Sequence, residues 1–417
     1  MAATFKTFLN NDVTTTKTLL HEAIPITGAI VSGTYDQGKK NAPSVQSEFN
    51  IKDYSHGMFQ SVYDYPFLSS SANHIFDISV GYSPQSALSG NVTSGRPKTQ
   101  QSKKIAMYNQ MAQVLMGHDK NGNIQRFDAD GNLGDAADDK MDEVIFINFS
   151  RLLVKDEIKK GSFQLKLGTQ PRMWHTVTGQ GGDGLRDYVS QILTIRDTNA
   201  QNDFRINSPA GEYGILSASH TAKVGAGVDQ QEMVEGRGPS SSPRSDNSNV
   251  LTDTSKVGLI FYQAGVIVLT SSVFHAAASG GILQRECEFS RDGAHGRSGA
   301  HNNINIDHAF TGSTIKNIAN NIRRRVHDIS FNNTTELNST VYFCRANHNE
   351  FNYSANPTYL SNSKIVVKEV PSDMPISYVT SVGLYSPDNE LMAVAKLSEP
   401  LRKDPTNELT LRVRLDY

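Results

Sequence analysis

Near its C-terminal end the chain alternates apolar and polar residues in the manner of a β-hairpin. The stretch YVTSVGLYSPDNELMAVAKLSEPLRKD, residues 378–404, places two runs of β-branched and aromatic residues around a turn at 386–389. Both runs carry apolar residues on both faces, a pattern typical of strands that are at least partly covered on two sides. A further alternating strand follows, with its apolar positions at Leu409, Leu411, Val413 and Leu415. We predict a C-terminal β-sheet that packs one face on the chain's own core and offers its other face, or its edge strand, to a neighbouring subunit.

Other strands are predicted from β-branched and aromatic runs bounded by Gly, Pro and Ser. They lie at 22–36, 73–83, 143–149 and 163–167, with a buried hairpin at 257–274 around Gln263-Ala264-Gly265. A short helical or turn element is expected to start near Ser150. Gly161 is expected to end it and allow the second strand at 163–167 to begin. The segment 235–249 is rich in Gly, Pro and Ser and predicts a loop or an arm ordered by a neighbour.

The stretch YSHGMFQSVYDYPFLSSS, which follows residue 53, is unusually aromatic. Its rings are Tyr54, Phe59, Tyr63, Tyr65 and Phe67. Aromatic residues build cores, and they are also enriched at the centres of subunit interfaces. Both interpretations, a corner of the core and an exposed subunit contact, are consistent with the pattern.

Two helices are predicted from apolar residues at helical spacing. The first lies in SKKIAMYNQMAQVLMG, with Ser102 as a cap and Gly117 as the terminator; its apolar face is Ile105, Tyr108, Ala112 and Leu115. The second covers about 313–326, with Ile315, Ile318, Ile322 and Val326 on one face. Three arginines, at 323–325, fall near its C-terminal end, where cations suit the helix dipole, so they require no nucleic acid.

Two related D-x-[ND]-G-N units begin at Asp119 and Asp128 and raise the possibility of calcium binding. Glycine stands at the fourth position of each unit, however, whereas the helix-loop-helix calcium site needs glycine at the sixth position and a bidentate Glu at the twelfth. Tight turns at Asn121-Gly122 and Asp130-Gly131 explain the same residues. The turn interpretation is favoured, and calcium binding is left open.

Other candidate motifs are weak. The sequence GQGGDG at 179–184 matches G-x-G-x-x-G, but no apolar strand leads into it, so a loop is favoured over a dinucleotide site. His295, His301 and His308 are six and seven residues apart in a polar stretch, which is not a metal-ligand spacing; a solvated loop is expected. We therefore expect no metal and no cofactor.

Composition narrows the class of protein. The 417 residues carry a formal net charge of −2, which provides no general attraction to nucleic acid or anionic lipid. No apolar run approaches the roughly 20 residues that span a bilayer, and the first residues lack the pattern of a signal peptide. The two cysteines, Cys287 and Cys344, fit neither a disulfide framework nor a zinc site and are expected to be reduced and buried, in a chain made in a reducing cytoplasm.

No catalytic motif is found, so an enzyme is not expected. A hydrolase acting on polysaccharide would need two carboxylates about 5–9.5 Å apart in a cleft. The candidate acidic residues are scattered along the chain: Asp64, Asp77, Asp142, Glu143, Asp156 and Glu157.

Several stretches resemble a virion structural protein of tailed bacteriophages, particularly of marine cyanobacterial myoviruses. They include HEAIPITGAIVSGTY, YSHGMFQSVYDYPFLSSSANHIFDISVGYS, FINFSRLLVKDEIKKGSFQLKLG and NSPAGEYGIL. The C-terminal pattern VGLY, turn, LMAVAKL is similar to a hairpin in baseplate-proximal domains of phage tail-fibre proteins. The chain lacks the repetitive shaft and the receptor-binding tip of those fibre proteins.

The resemblance implies a structural subunit of the tail or baseplate that contacts other virion proteins in multiple copies, in particles assembled in the host cytoplasm. A neck connector or a capsid decoration protein is the alternative; a receptor-binding protein and a hydrolase are weaker candidates. Neither nucleic acid nor a membrane is expected as a partner.

The fold class expected from the strand and helix patterns is mainly β with a few helices, a β-rich α+β arrangement of sandwich-like units with long loops. Three regions are predicted: a β-rich region with an arm at 1–100, an α+β domain at 101–275, and a C-terminal domain at 276–417. The last region contains the helix at about 313–326, followed by the β-sheet.

Overall fold

A computed structural model describes most of the chain. The described residues are 5–25, 50–90, 98–133, 140–168, 191–222, 232–235, 256–275, 287–291, 303–323, 325–354, 360–361, 364–365, 370, 372 and 374–417. The glycine-rich motif at 179–184, residues 26–36 of the first predicted strand, and all but the first residue of the predicted loop at 235–249 lie outside them.

The described chain is mainly β with a few helices, as the alternation of the sequence predicted. The helices are α1 (Gln101–Leu115), α2 (Arg151–Val154), α3 (Ile306–Gly312) and α4 (Ile315–Arg323), with short 3-10 turns at Asn10–Asp12, Ala87–Ser89 and Ser271–Phe274. The strands are β1 (Val13–Pro25), β2 (Ile51–Asp53), β3 (Gln60–Tyr63), β4 (His74–Tyr82), β5 (Glu143–Phe149), β6 (Glu157–Ile158), β7 (Gln164–Gly168), β8 (Gln191–Arg196), β9 (Phe204–Ser208), β10 (Gly211–Ala222), β11 (Glu232–Glu235), β12 (Lys256–Phe261), β13 (Val266–Thr270), β14 (Phe289–Ser290), β15 (Asn303–Ile304), β16 (Val326–Ala346), β17 (Leu360–Ser361), β18 (Lys364–Ile365), β19 (Ser377–Tyr385), β20 (Leu391–Lys403) and β21 (Leu409–Asp416).

Contacts divide the chain into two compact units. The terminal unit consists of Met1–Leu20 and Glu336–Tyr417, and the central unit is His21–Thr335. These contact units do not coincide with the three regions expected from the sequence, and that three-region division stays a prediction.

The central unit is built on an antiparallel sheet in which β7, β8, β10, β12, β13, β5, β4, β3 and β2 are neighbours in that order. Alternate residues of a strand point to opposite faces. Along β5, Ile145 and Ile147 join one hydrophobic cluster, whereas Val144 and Phe146 join a second cluster. The nearly continuous apolar run EVIFINF is therefore explained by a sheet that is buried on both faces.

Helices cover the two faces of this sheet. Buried residues of α1, including Tyr108 and Leu115, belong to the second cluster, while residues of α3 and α4, including Phe310 and Ile318, belong to the first. Helix α1 approaches the sheet closely at Gly81, where an added Cβ would lie 2.8 Å from the Lys104 carbonyl oxygen. The central unit thus has a helix, sheet, helix core.

The first predicted helix is confirmed, with its start at Gln101 and a positive φ of 79° at Gly117 just beyond its end. The cap residue is Gln100 rather than Ser102. The second predicted helix is shorter than expected: α4 ends at Arg323, and Val326 begins β16 as a buried strand residue.

The hairpin at 257–274 is confirmed as β12 and β13, which pair antiparallel with Phe261 opposite Val266. Gly265 in its turn has a φ of 68°. Strands β4, β5 and β7 also lie where the alternation placed them. Strand β1, by contrast, begins at Val13, nine residues before the predicted start at 22.

The terminal unit contains the predicted C-terminal strands, but they are arranged differently. Strands β19 and β20 form a two-stranded sheet of their own. Strand β21 pairs with β16, with Phe343 opposite Arg412, and has no pairing to the hairpin among the described residues. The expectation of one continuous C-terminal sheet is wrong, because the partner of β21 comes from a strand about 70 positions earlier in the chain.

No helix within the described ranges is long and apolar enough to cross a membrane.

Candidate subunit interface in the terminal unit

The hairpin β19–β20 closes through a tight turn at the place the sequence indicated. The backbone N–H of Ser386 donates to the Glu390 carbonyl at 2.8 Å, and Asn389 has a positive φ of 64°, which asparagine tolerates well. Gly383 lies opposite Val394, and the Tyr385 ring and Leu391 cover it: an added Cβ would meet them at 3.0 and 3.2 Å. The turn region is therefore a locally well-packed hairpin end.

The outward surface of this hairpin end is apolar. We call the side chains Tyr385, Leu391, Met392 and Val394 the hairpin patch. Their exposed fractions are 47%, 52%, 70% and 54%, respectively. An exposed apolar patch beside charged residues is typical of a protein contact surface, and Asp388 and Glu390 in the adjoining turn are exposed.

The first described residues of the chain add aromatic side chains next to the hairpin patch. The Phe5 ring packs edge-on against Tyr385 with the ring centroids 5.0 Å apart, and Phe8 lies 5.4 Å from Tyr342. Phe5, Phe8 and the neighbouring Leu9 nevertheless remain exposed. The apolar surface of the terminal unit therefore extends from the hairpin to the segment that precedes β1.

The terminal unit has almost no hydrophobic core of its own. Both hydrophobic clusters consist of residues between Ile51 and Phe331, which belong to the central unit. Among the described residues of the terminal unit, Val341 and Leu384 are the only buried apolar side chains. Stability in small units rises with buried apolar area, so strands this poorly covered are expected to gain stability from an additional surface. The expectation that the C-terminal strands close on the chain's own core is wrong for the described residues.

Polar interactions organise the terminal unit instead. Lys403 is fully buried and donates to the His348 carbonyl, the Asn352 side-chain oxygen and the Asp404 carbonyl at 3.2, 2.6 and 2.9 Å. Asp12 is buried beside Arg345, whose Nε lies 2.7 Å from its carboxylate. Buried charges of this kind are tolerated only when paired or hydrogen-bonded, so these contacts fix the local geometry.

The central unit also buries cations, which the sequence did not indicate. Lys104 on α1 is fully buried, and its ammonium donates to the carbonyl oxygens of Thr99, Phe310 and Ser313 at 2.9, 2.5 and 2.6 Å. Two of these carbonyls lie at the C-terminal end of α3, where helical carbonyls lack partners within the helix. Burial lowers the pKa of Lys104 to about 7, while the three acceptors favour its charged form.

The arginines at the end of α4 are buried rather than solvated. Arg323 donates from Nε to Gln60 at 3.2 Å, and Arg325 donates to the Gly168 carbonyl at 3.3 Å and lies over the Phe289 ring. The prediction that a helix-dipole interaction alone explains this cluster is therefore incomplete, since both side chains are structural links between strands and helices.

A serine, an aspartate and a histidine lie together in the central unit, but not in the order of a nucleophilic triad. Ser61 Oγ and His74 Nε2 both bind the same oxygen, Asp77 Oδ1, at 2.5 and 2.8 Å. A triad needs the histidine on the serine, with the carboxylate behind the histidine. This cluster consequently ties β3 to β4 and does not have the geometry of a triad.

The buried carboxylate of Asp197 is held by hydrogen bonds from neighbouring backbone and side-chain groups. Asp197 accepts from the backbone N–H groups of Gly161 and Phe163 at 2.7 and 3.0 Å, and from Tyr262 at 3.3 Å. Burial raises its pKa to about 6, against the opposing effect of these donors. Asp197 therefore fixes the turn between β6 and β7.

The two acidic repeat units form tight turns. The Asp119 carboxylate accepts from the backbone N–H groups of Asn121 and Asn123, both at 2.8 Å, and Gly122 has a φ of 82°. Asp128 accepts from the backbone of Asp130 and is ion-paired with Lys140. The described residues hold no group of three or more His, Cys, Asp or Glu side chains placed for a metal ion.

Three of the candidate acidic residues for hydrolysis each bind a separate polar partner. Asp64 accepts from Tyr65 and Asn73, Asp142 pairs with Arg126, and Glu143 binds Ser86. Burial raises the pKa of Glu143.

The remaining predicted residues are placed as follows. His308 lies on α3, so the predicted loop is wrong at that position, while His295 and His301 lie outside the described residues. Cys287 is buried, but Cys344 is only half-buried, and neither forms a disulfide.

The five predicted aromatic residues lie outside both hydrophobic clusters. Tyr54 packs on Phe59, and Tyr63 on Phe67, while Tyr65 is exposed. The interpretation of these rings as part of the core is wrong, and their role in a subunit contact stays a prediction.

No protein-family model, no curated protein and no solved structure matches this chain.

Proposed function

We propose that this chain is a structural subunit of a tailed bacteriophage particle, located in or beside the baseplate of the tail. It works by forming interfaces with other subunits. The resemblance of its sequence to virion structural proteins supports the class of particle, and the geometry of the terminal unit supports the mode of action.

The observation that carries this proposal is the apolar surface of a unit that has almost no core. The hairpin patch, Phe5 and Leu9 are exposed, although Val341 and Leu384 are the only apolar side chains buried among the described residues of the same unit. Fully burying one large apolar side chain contributes about 1.5–3 kcal/mol. Covering the patch by a neighbouring subunit would thus stabilise both the unit and the particle, after the costs of association.

The mechanism is geometric rather than chemical. Polar contacts such as those of Lys403 position the strands, and the apolar side chains are left for a partner. Segments that become ordered on docking lose conformational entropy in exchange for buried area, which makes assembly sequential.

The proposal is tested by incorporation into particles. Phage that encode Met392→Asp together with Val394→Asp should yield particles that lack this protein, because each carboxylate would be buried in the contact. A matched control is Leu152→Asp together with Ile206→Asp, which adds the same charge on two side chains of the central unit that are 78% and 75% exposed. Mass spectrometry of purified particles measures incorporation, and circular dichroism of the purified variants checks folding.

Normal incorporation of the folded double variant would contradict the proposed interface. A map of the whole particle locates the subunit and gives its copy number. Density for this chain in the neck or on the capsid would replace the tail assignment with the connector or decoration alternative.

A further inference from the structure

The two outer edges of the hairpin β19–β20 differ in how well they are protected against pairing. Strand β20 carries Lys396, Glu399 and Pro400, residues that discourage the addition of another strand. Strand β19 has the sequence SYVTSVGLY, with no charged residue and no proline. Its outer edge has no strand partner among the described residues. Strand β19 is therefore the edge of the hairpin that can accept another strand.

A two-stranded sheet is also incomplete by itself. An isolated hairpin is marginally stable in water, and three or more strands are needed for independent stability. The hairpin β19–β20 shares no strand with the larger sheet in the described structure. Its turn end carries the exposed hairpin patch. Additional strands at the β19 edge would supply the missing pairing.

We propose that β19 pairs edge to edge with β19 of a second copy of this chain. The two strands run antiparallel about a twofold axis and form a four-stranded sheet in the order β20, β19, β19, β20. This inference deepens the proposed function, on which it rests, by naming one partner of the terminal unit.

Charge favours a second copy as the occupant of this edge. In a twofold antiparallel pair each strand meets its own sequence, and no like charges meet because β19 has none. The acidic turns that contain Asp388 and Glu390 lie at opposite ends of such a sheet. With nine residues per strand at about 3.3 Å each, they are separated by roughly 30 Å.

The exposed strand β21 is, by contrast, poorly suited to pairing with itself. Antiparallel self-pairing centred on Arg412, Val413 or Arg414 would bring an arginine opposite an arginine, at a distance where like charges destabilise a sheet. The residues of β19 act in the opposite direction. In a pair centred on Ser381, Tyr378 of each copy lies opposite Leu384 of the other and on the same face of the sheet, which places apolar side chains together.

The test is the oligomeric state of the purified full chain. Sedimentation velocity over a concentration series should show the 45.7 kDa chain associating into a species of twice that mass. The variant Thr380→Lys with Ser381→Lys adds charges at two exposed positions of β19 and should weaken dimerisation about tenfold or more. The matched control, Ser398→Lys with Thr410→Lys, adds the same charge at exposed positions of β20 and β21 and should dimerise like the wild type.

Hydrogen exchange of the wild-type chain gives a second measurement that does not depend on the folding of a variant. Amides of Ser377–Tyr385 should exchange more slowly at concentrations where the dimer forms than in the monomer. A wild-type chain that stays monomeric, a β19 variant that dimerises like the control, or β19 amides with unchanged exchange would each overturn the proposal. These outcomes leave the proposed particle role to the incorporation experiment, which uses different variants, so the two proposals can fail separately.

Discussion

The ammonium group of Lys403 lies 2.6 Å from the side-chain oxygen of Asn352, in the interior of a unit in which Val341 and Leu384 are the only buried apolar side chains of the described residues. This contact places a fully buried charge where a hydrophobic core would ordinarily be. It connects the end of β20 to the segment after β16, and it indicates how strands with little apolar cover are held in place.

Replacing Lys403 with Met should destabilise the terminal unit. The substitution keeps the apolar stem but leaves the acceptors on His348, Asn352 and Asp404 without their donor, at a cost of about 1–3 kcal/mol for buried polar groups. Urea denaturation measures the loss. The control Lys396→Met, at an exposed position of the same strand, should change the free energy of unfolding by less than about 0.5 kcal/mol. Equal effects at the two positions would contradict the role assigned to Lys403.

Lys104 should make stability depend on pH above neutrality. Its pKa in the folded chain is lowered by burial from 10.5 to about 7. Between these values the unfolded chain holds a proton that the folded chain has released, so the free energy of unfolding should rise with pH in this window. Chemical denaturation from pH 7 to 9 measures the slope, below the range where tyrosines titrate. Lys104→Met should flatten the slope, and an unchanged slope would show that the ammonium stays charged on its three carbonyl acceptors.

Asp197 should make the free energy of unfolding fall with rising pH in the acidic range, the opposite of the effect of Lys104. Burial raises its pKa from 3.8 to about 6 in the folded chain, so the folded chain holds the proton more tightly than the unfolded chain. Its contribution to stability is complete below about pH 3.8 and is lost as the pH rises to about 6. Asp197→Asn should remove this contribution to the pH dependence. Because the pKa of Glu143 is also raised, the difference between wild type and variant, rather than the wild-type curve alone, is the quantity to measure.

Alanine substitutions at Gly258 and Gly312 should differ in their effect on stability, because only Gly258 is crowded by neighbouring backbone. Gly258 on β12 faces the Val268 carbonyl and the Leu269 backbone so closely that an added methyl group has no room. Gly258→Ala should therefore cost about 1–3 kcal/mol by overpacking. At Gly312, near the end of α3, an added methyl group would meet no neighbouring atom within 4 Å, so Gly312→Ala should be neutral or slightly stabilising. Thermal unfolding distinguishes them, and a neutral Gly258→Ala would contradict the close strand contact.

Deleting residues 401–417 should abolish particle incorporation or solubility. The deletion removes β21, which pairs with β16 from Ser339 to Ala346, and it removes Lys403. Both losses expose strand edges and unpartnered polar groups in the terminal unit. A truncated chain that folds and enters particles normally would show that β21 is dispensable.

The sequence was most informative where apolar residues repeat locally. Strands β4, β5, β12 and β13 and helix α1 follow from periodicity, because their residues are buried by neighbours at regular spacing. Gly117 and Gly265 marked turns correctly, since a positive φ favours glycine. Helix α4 ended earlier than its pattern because Val326 is buried as a strand residue, and the periodicity alone does not distinguish these two environments.

The candidate interface could be located only in part. Alternation in residues 378–404 predicted the hairpin and an available face, but not that the hairpin would stand apart from β21. The apolar residues of β19 and β20 form the pattern of strands that are covered on both faces. The pattern does not show whether the covering surface belongs to the same chain or to another subunit. The burial of Lys104, Arg323 and Lys403 had no local signal, because the acceptors that make it possible come from distant parts of the chain.

The sequence by itself determined the mainly β class with a few helices, the positions of the strongly periodic strands and the helix α1, and the turns at glycine and asparagine. These depend on interactions between residues a few positions apart and on backbone preferences of single residues. Tertiary structure alone decided which strands pair, which cations are buried, and which apolar side chains stay exposed. Those outcomes depend on atoms brought together across tens to hundreds of residues, so the exposed β19 edge and hairpin patch became recognisable only once the residues of both hydrophobic clusters were known to belong to the central unit.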